Sequence, residues 1–310
     1  MTGIELSKRY YEFCKPALEE QAPALMAQTA AGLVGDGSEC FGYDDEISRD
    51  HDFEPGFCLF VPDDADEREV FQLERAYARL PKEFEGFRRL AVDPAGGSRH
   101  GVKRVSDFYS EKTGFARPPE DARDWLAIPQ YALAAAVNGE VFTDPRGDFS
   151  ARRAGFASMP EDARKKRLAG HLFMMSQAGQ YNYLRCVSHG ETSAAQLALF
   201  AFSDHAMQAA FLLNGRYMPF YKWSFRALRG LSTLGGIADL LDYLLTTDNM
   251  GGMPATKADL IEDCALQFVT TLQDAGLTDA VCTDLGKHAA SVNDHVRDAR
   301  LRNLDLLAGV

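Results

Sequence analysis

The chain predicts an α+β protein, with an N-terminal α/β domain built on a small mixed sheet and a C-terminal all-α helical bundle. Three observations carry this. Two short apolar runs, Ala31-Gly32-Leu33-Val34 and Phe57 to Val61, are bounded by glycine- or proline-bearing turns and read as buried strands. Between Asp66 and Leu80, the apolar residues Val70, Leu73, Ala76, Tyr77 and Leu80 recur at helical steps, which lays an amphipathic helix on those strands. Beyond Pro145-Arg146-Gly147 the patterning is helical throughout. A chain of 310 residues exceeds a typical single core, so the expected domains are 1–147 and 148–310.

In chain order, residues 4 to about 30 carry Tyr10, Phe13, Leu18, Leu25 and Met26 at loose helical spacing. Pro16 and Pro23 divide them into one or two short helices. The first strand follows and ends at a glycine turn. Residues 50 to 61 form a second strand region in which Pro55-Gly56 forces a pause, because proline has no amide to donate to a ladder. Pro81 closes the helix of 66–80. Gly96-Gly97-Ser98 makes a turn, Gly101 to Val105 a short strand, Asp107 opens a helix, and Trp125 to Val137 is another that Asn138-Gly139 stops. Glu140 to Pro145 is a small extended piece. The later helices are expected from Pro160 to about Tyr183, Glu191 to Asn214, Pro219 to Ala227, Gly235 to Thr246, Lys257 to Ala275, and Thr278 to Leu307.

Composition narrows the function. A hydrophobic fraction of 46% with 25% charged residues describes a folded chain, and no apolar run approaches the roughly 20 residues a membrane helix needs. The start has neither a basic region nor an apolar core, so the expected location is cytoplasmic. Six scattered cysteines form no C-x-x-C pair and read as free thiols. A formal charge of -12 argues against nucleic acid as a partner and for a small or cationic one. Arg152-Arg153 with Arg164-Lys165-Lys166-Arg167 form the weaker alternative of a local basic groove.

The chemistry concentrates in one short unit. Gly35-Asp36-Gly37-Ser38 is followed by Asp50-His51-Asp52-Phe53. In an extended segment residues i and i+2 face one side, so Asp50 and Asp52 project together and can hold Mg2+. Without a Cβ, Gly37 lets backbone amides approach a polyphosphate, and the Ser38 hydroxyl can hydrogen-bond it. Neither a calcium loop nor a zinc site is expected here, since Asp44 onwards lacks the sixth-position glycine and Cys40, His51 and Cys58 have no familiar ligand spacing.

Leu33-Val34-Gly35-Asp36-Gly37-Ser38 with Asp50-His51-Asp52-Phe53 resembles the signature of the polymerase-beta-like nucleotidyltransferase superfamily. Together with Ser38 to Gly42, Ser48 to Phe53 and Tyr217 to Trp223, the chain resembles a bacterial branch in which a helical domain follows the catalytic one. The resemblance implies a nucleotidyltransferase-type first domain. It implies a reaction in which an acceptor hydroxyl attacks the α-phosphorus of ATP or another nucleoside triphosphate, with pyrophosphate leaving. Asp50 and Asp52 would be the catalytic metal ligands, and Gly37 and Ser38 would seat the triphosphate. The acceptor would be a small molecule such as an aminoglycoside. Two departures stand out. The superfamily places a further acid on a later strand, whereas Gly101 to Val105 offers Lys103, with Asp93 and Asp107 only flanking it. Pro55-Gly56 interrupts a strand that runs on in the superfamily.

In the helical domain, Gly179 to Arg185 and Tyr217 to Trp223 are rich in aromatics with polar tips, which suit a cleft as well as packing. Tyr181, Asn182 and Lys222 are the expected nucleotide-binding residues there, Lys222 toward the phosphates. Packing is expected for Phe220 and Trp223. Lys165 and Arg167 belong to a charge run that reads as a solvated face. Two further readings stay open: a catalytically impaired nucleotide-binding module, and a subunit whose helical domain meets a protein partner.

Overall fold

A computed structural model describes residues 1–46, 53–89 and 99–310. It is a mixed α+β structure with a small mixed sheet and many helices. Two compact units divide the chain: residues 1–118 with 132–158, and residues 119–131 with 159–310. The expected boundary at 147/148 falls inside the first unit.

The first unit begins with α1 (Gly3–Gln21), whose N-terminus is closed by a reciprocal pair. The Thr2 hydroxyl accepts from the Glu5 amide, and the Glu5 carboxylate accepts from the Thr2 amide at 2.8 Å. Pro16 does not end this helix. Its missing amide would have bonded the carbonyl of Glu12, and both residues lie on the exposed face, where water can serve that carbonyl. Leu6, Tyr10, Cys14 and Leu18 line the inner face. A short α2 (Pro23–Met26) leads into β1 (Ala30–Leu33).

The sheet has the order β5-β2-β1-β6, with β2 (Cys58–Val61), β5 (Gly101–Arg104) and β6 (Glu140–Thr143). β1 pairs antiparallel with both β2 and β6, whereas β2 and β5 are parallel, as their crossover through α3 (Glu67–Ala78) requires. The sheet is covered on both faces. Leu59 and Val61 join Tyr10, Leu18, Leu73 and Tyr77 in one core. Phe60, on the opposite pleat, stacks on Phe149 of α6 (Asp148–Ala157) at 4.1 Å and meets Phe108 of α4 (Val105–Thr113) edge-on at 5.1 Å. Tyr77 ties down the segment before β2. Its hydroxyl donates to the Phe57 carbonyl at 2.7 Å and accepts from the Phe57 amide at 3.3 Å.

Between α3 and β5 the sequence pattern gave no warning of a two-residue hairpin. β3 (Glu83–Phe84) and β4 (Phe87–Arg88) turn through Glu85 and Gly86, both at positive φ, which matches the twist of antiparallel strands. The helix expected over 125–137 is also two pieces. Pro129 holds Ile128 extended (φ -92, ψ 116), so a 3-10 turn at Asp124–Ala127 is separated from α5 (Gln130–Val137).

The second unit is helical. α7 (Glu161–Met175) runs through its centre and continues without a break into a π-helical stretch, Ser176–Tyr183, and then α8 (Leu184–Ser188). α9 (Thr192–Leu213), α10 (Tyr221–Arg229), α11 (Ile237–Thr246) and α12 (Met253–Asp274) follow. The last expected helix, 278–307, is replaced by α13 (Leu285–Asp294) and α14 (Ala299–Arg302). Each is started by an aspartate cap, Asp284 and Asp298, whose Oδ1 accepts from a helix amide at 2.8 Å. Among the described residues no helix is long and apolar enough to cross a membrane.

Candidate functional site

The glycine turn after β1 is built by backbone needs. Gly35 and Gly37 sit at φ +106 and +122, a region that strains any residue with a Cβ. Asn138, which the sequence marks only as a helix stop, clamps the turn. Its Oδ1 accepts from the Gly35 amide at 2.8 Å and its Nδ2 donates to the Gly35 carbonyl at 2.7 Å. Gly139 completes the support, because its amide donates to the Cys40 carbonyl at 2.8 Å and a side chain there would strike the Leu33 carbonyl.

Beside this turn lies a cavity of about 280 Å³, lined among others by Gly35, Asp36, Arg99, Lys103, Glu111 and Lys112. Three cations and three carboxylates interlock around it. Arg99 Nη2 donates to the Asp36 carbonyl at 2.9 Å and forms an ion pair with Glu39, and these two side chains fill the space that a Cβ at Gly37 would take. Lys103 meets Glu111 at 2.6 Å. Lys112 bridges Asp36 and Glu111.

The electrostatics follow from those pairs. Burial works to lower the Lys112 ammonium, but its bonds to Asp36 and Glu111 outweigh it and the net shift is upward. Burial works to raise Glu111, and the two lysines overcome it, so its carboxyl lies below the ordinary range. At the cavity floor Cys58 is pushed up to about 11 by burial despite nearby cations, so its thiol stays protonated and unreactive at neutral pH. His100 and Glu54 pair at 3.0 Å close by, and the His100 ring occupies the space above Gly56. The glycine of Pro55-Gly56 therefore makes room for a side chain.

The expected site residues fall out as follows. Asp50 and Asp52 lie outside the described residues, as does Asp93. Ser38 is buried, with its hydroxyl turned toward Glu39 at 3.5 Å. Gly37 lies under the Arg99–Glu39 pair, so the cavity lining at this turn comes from Gly35 and Asp36. Lys103 does line the cavity. Arg99, Glu111 and Lys112 went unnoticed in the sequence, since they are spread over segments far from the turn. A signal existed only for the last two: Glu111 and Lys112 fall on one helix soon after the strand bearing Lys103.

In the second unit, Tyr181 and Asn182 are exposed on the π-helical stretch, with the Arg185 guanidinium over the Tyr181 ring at 4.9 Å. Lys222 is exposed and stands over the Trp223 ring at 5.0 Å. These three residues belong to the second unit and the Gly37 turn to the first. The charge run 164–167 is not a solvated face. Lys166 and Arg167 are buried, Lys166 donating to Asn293 Oδ1 at 2.9 Å and the Leu304 carbonyl at 2.8 Å. In the first unit Arg152 pairs with Asp63, and Arg153 donates to the carbonyls of Val137 and Gly139. Phe220, expected to pack, is about half exposed.

Residues 125–224 match a family described as a domain of unknown function, DUF4037. Comparison with curated proteins and with solved structures finds no match.

Proposed function

We propose that the chain is a Mg2+-dependent nucleotidyltransferase that moves a nucleoside monophosphate from ATP or another nucleoside triphosphate to a small acceptor such as an aminoglycoside. One observation carries the reading. Arg99, Lys103 and Lys112 converge on a cavity at a positive-φ glycine turn, a combination suited to a polyphosphate. Their present carboxylate partners do not forbid it. Asp36 and Glu111 are at least half exposed although the two lysines they meet are largely buried, so these carboxylates can turn into water when a polyanion takes their place, while Glu39 stays with Arg99 at the turn.

The described residues fit the phosphates of the substrate, and they include no group of three or more His, Cys, Asp or Glu placed to hold a metal. Asp50 and Asp52 are the assigned ligands. When bound, Mg2+ supplies charge neutralisation on the transferring phosphoryl group. The chain itself seats the β- and γ-phosphates on Lys103 and Lys112 and fixes the turn through Arg99. That positions the α-phosphorus for in-line attack by the acceptor hydroxyl, with pyrophosphate departing.

A second reading rests on Lys103. It stands on β5, the strand where the resemblance places an acid, which favours a module that binds nucleotide and does not turn it over. One experiment separates the two. The full chain is given ATP, Mg2+ and a panel of aminoglycosides, with ATP affinity and pyrophosphate release both recorded. Transfer predicts release that disappears in Asp50→Asn/Asp52→Asn, and ATP affinity about tenfold weaker in Lys103→Met and Lys112→Met. Binding without release across the panel selects the module. Unchanged ATP affinity in both lysine variants rejects the site.

A further inference from the structure

The second unit contains a cavity of about 490 Å³ that the nucleotide site does not use. Its volume falls within the range of about 300 to 1,000 Å³ common for small-molecule sites. All its lining residues except Gly309 and Val310 fall inside the stretch 125–224 that matches the family.

Arg167 forms part of its wall at 4% exposure. The guanidinium donates to three backbone carbonyls: Nε to Gly309 at 3.1 Å, and Nη2 to Leu126 at 3.4 Å and Ile128 at 2.6 Å. Nη1 is buried and has no hydrogen-bond partner among the described residues. No carboxylate forms an ion pair with Arg167 among those residues. Carbonyl dipoles offset part of a buried charge, but a full cation out of water is normally matched by an anion. Asp204, also in the lining, accepts from Gln208 Nε2 at 2.7 Å.

The rest of the wall has the opposite character. Tyr131, Phe220 and Tyr221 are all more than half exposed, and they cluster, with ring centroids 4.4 Å apart for Phe220–Tyr221 and 6.1 Å for Tyr131–Phe220. Large aromatics left open beside a cavity suit a flat apolar body. Gln130 holds the wall in place, its Oε1 accepting from the Met218 amide at 3.0 Å and its Nε2 donating to the Gln208 carbonyl at 3.3 Å.

We propose that this cavity binds a small organic anion, with a carboxylate or phosphate monoester facing Arg167 and a flat apolar body lying on Phe220, Tyr221 and Tyr131. The anion need not touch Nη1, since an opposite charge within about 4 to 6 Å already favours the charged form of a buried group. The inference rests on the second unit alone and holds whether or not the first unit transfers nucleotides.

The test is isothermal titration of the full chain with 1-naphthylacetate, its neutral amide 1-naphthylacetamide, and 1-naphthyl phosphate. The acetate, the phosphate or both should bind about tenfold or more tightly than the amide, and their ranking tells which anionic group the site takes. Phe220→Ala, at an exposed position, should weaken every probe that binds. Arg167→Gln should erase the preference for the anions, and the comparison in the unaltered chain stands even where that variant fails to fold. Equal affinity for amide and anions, unchanged binding in Phe220→Ala, or no probe binding more tightly than about 1 mM would overturn the proposal.

Discussion

Acidification should destabilise the second unit through one pair of imidazoles. His171 on α7 and His205 on α9 meet Nδ1 to Nδ1 at 3.0 Å, so one donates and the other accepts, which suits two neutral rings. Burial drives His171 well below its ordinary value, and His205 and Arg167 push it further down. Burial also lowers His205, against the opposing charge of Asp204. Both rings are therefore neutral in the folded unit where unfolded chains already bind protons. The contribution is complete above about pH 6.5 and is lost as pH falls from there toward the folded values. A ring that stays neutral throughout costs about 1.4 kcal/mol between pH 7.5 and 5.5, which is the share of His171, and His205 adds a smaller one in the same direction. Both tryptophans, Trp125 and Trp223, lie in the second unit, so tryptophan fluorescence during urea unfolding reads that unit selectively. The unaltered chain should lose this increment over that pH range, and His171→Gln/His205→Gln should lose it far less steeply. Identical pH dependence in the two proteins would refute the reasoning.

Removing the Tyr77 hydroxyl should loosen the first unit, because Phe57 is buried and both its backbone groups bond that oxygen. Tyr77→Phe is expected to cost about 1 to 3 kcal/mol, read as faster amide hydrogen exchange in β1 and β2, and unchanged protection there would count against it. The buried Lys257 ammonium caps two carbonyls, Leu244 at 3.0 Å and Thr247 at 2.8 Å. Lys257→Met leaves both without that donor and should cost about 1 to 3 kcal/mol in tryptophan-monitored unfolding. A midpoint equal to that of the unaltered chain would contradict this role.

What the sequence disclosed depended on whether local pattern and burial agreed. α3 was legible because Val70, Leu73 and Tyr77 repeat at helical steps and all three are buried. The strands before and after the glycine turn were legible as short apolar runs. α1 was misread at Pro16 because only the fold shows that its freed carbonyl faces water. The 164–167 run misled for a geometric reason: consecutive helix positions sweep about 100° each, so four cations in a row cannot share one face, and two turn inward. The cation cluster around the glycine turn was largely hidden. Its members come from separate segments, and only the sheet pairing of β2 with β5 brings Lys103 to the wall shared with Asp36.

The widened helix at Ser176–Tyr183 has a consequence for what the chain tolerates. Its slower rotation per residue lets Tyr183 bury its ring and donate to Asn249 Oδ1 at 2.8 Å while neighbouring Tyr181 and Asn182 look outward. Gly179 sits where any Cβ would press on Phe202 and Ile261, which fixes the rod's azimuth at that point. Losing one residue from this octet and rewinding to ordinary pitch would nearly cancel for the helices on either side, since one residue fewer at the faster rotation sweeps about the same arc, but it would change the face of the side chains within the stretch, Tyr181, Asn182 and Tyr183 among them. The extra residue is thus what lets this one rod bury Tyr183 and still present its two predecessors.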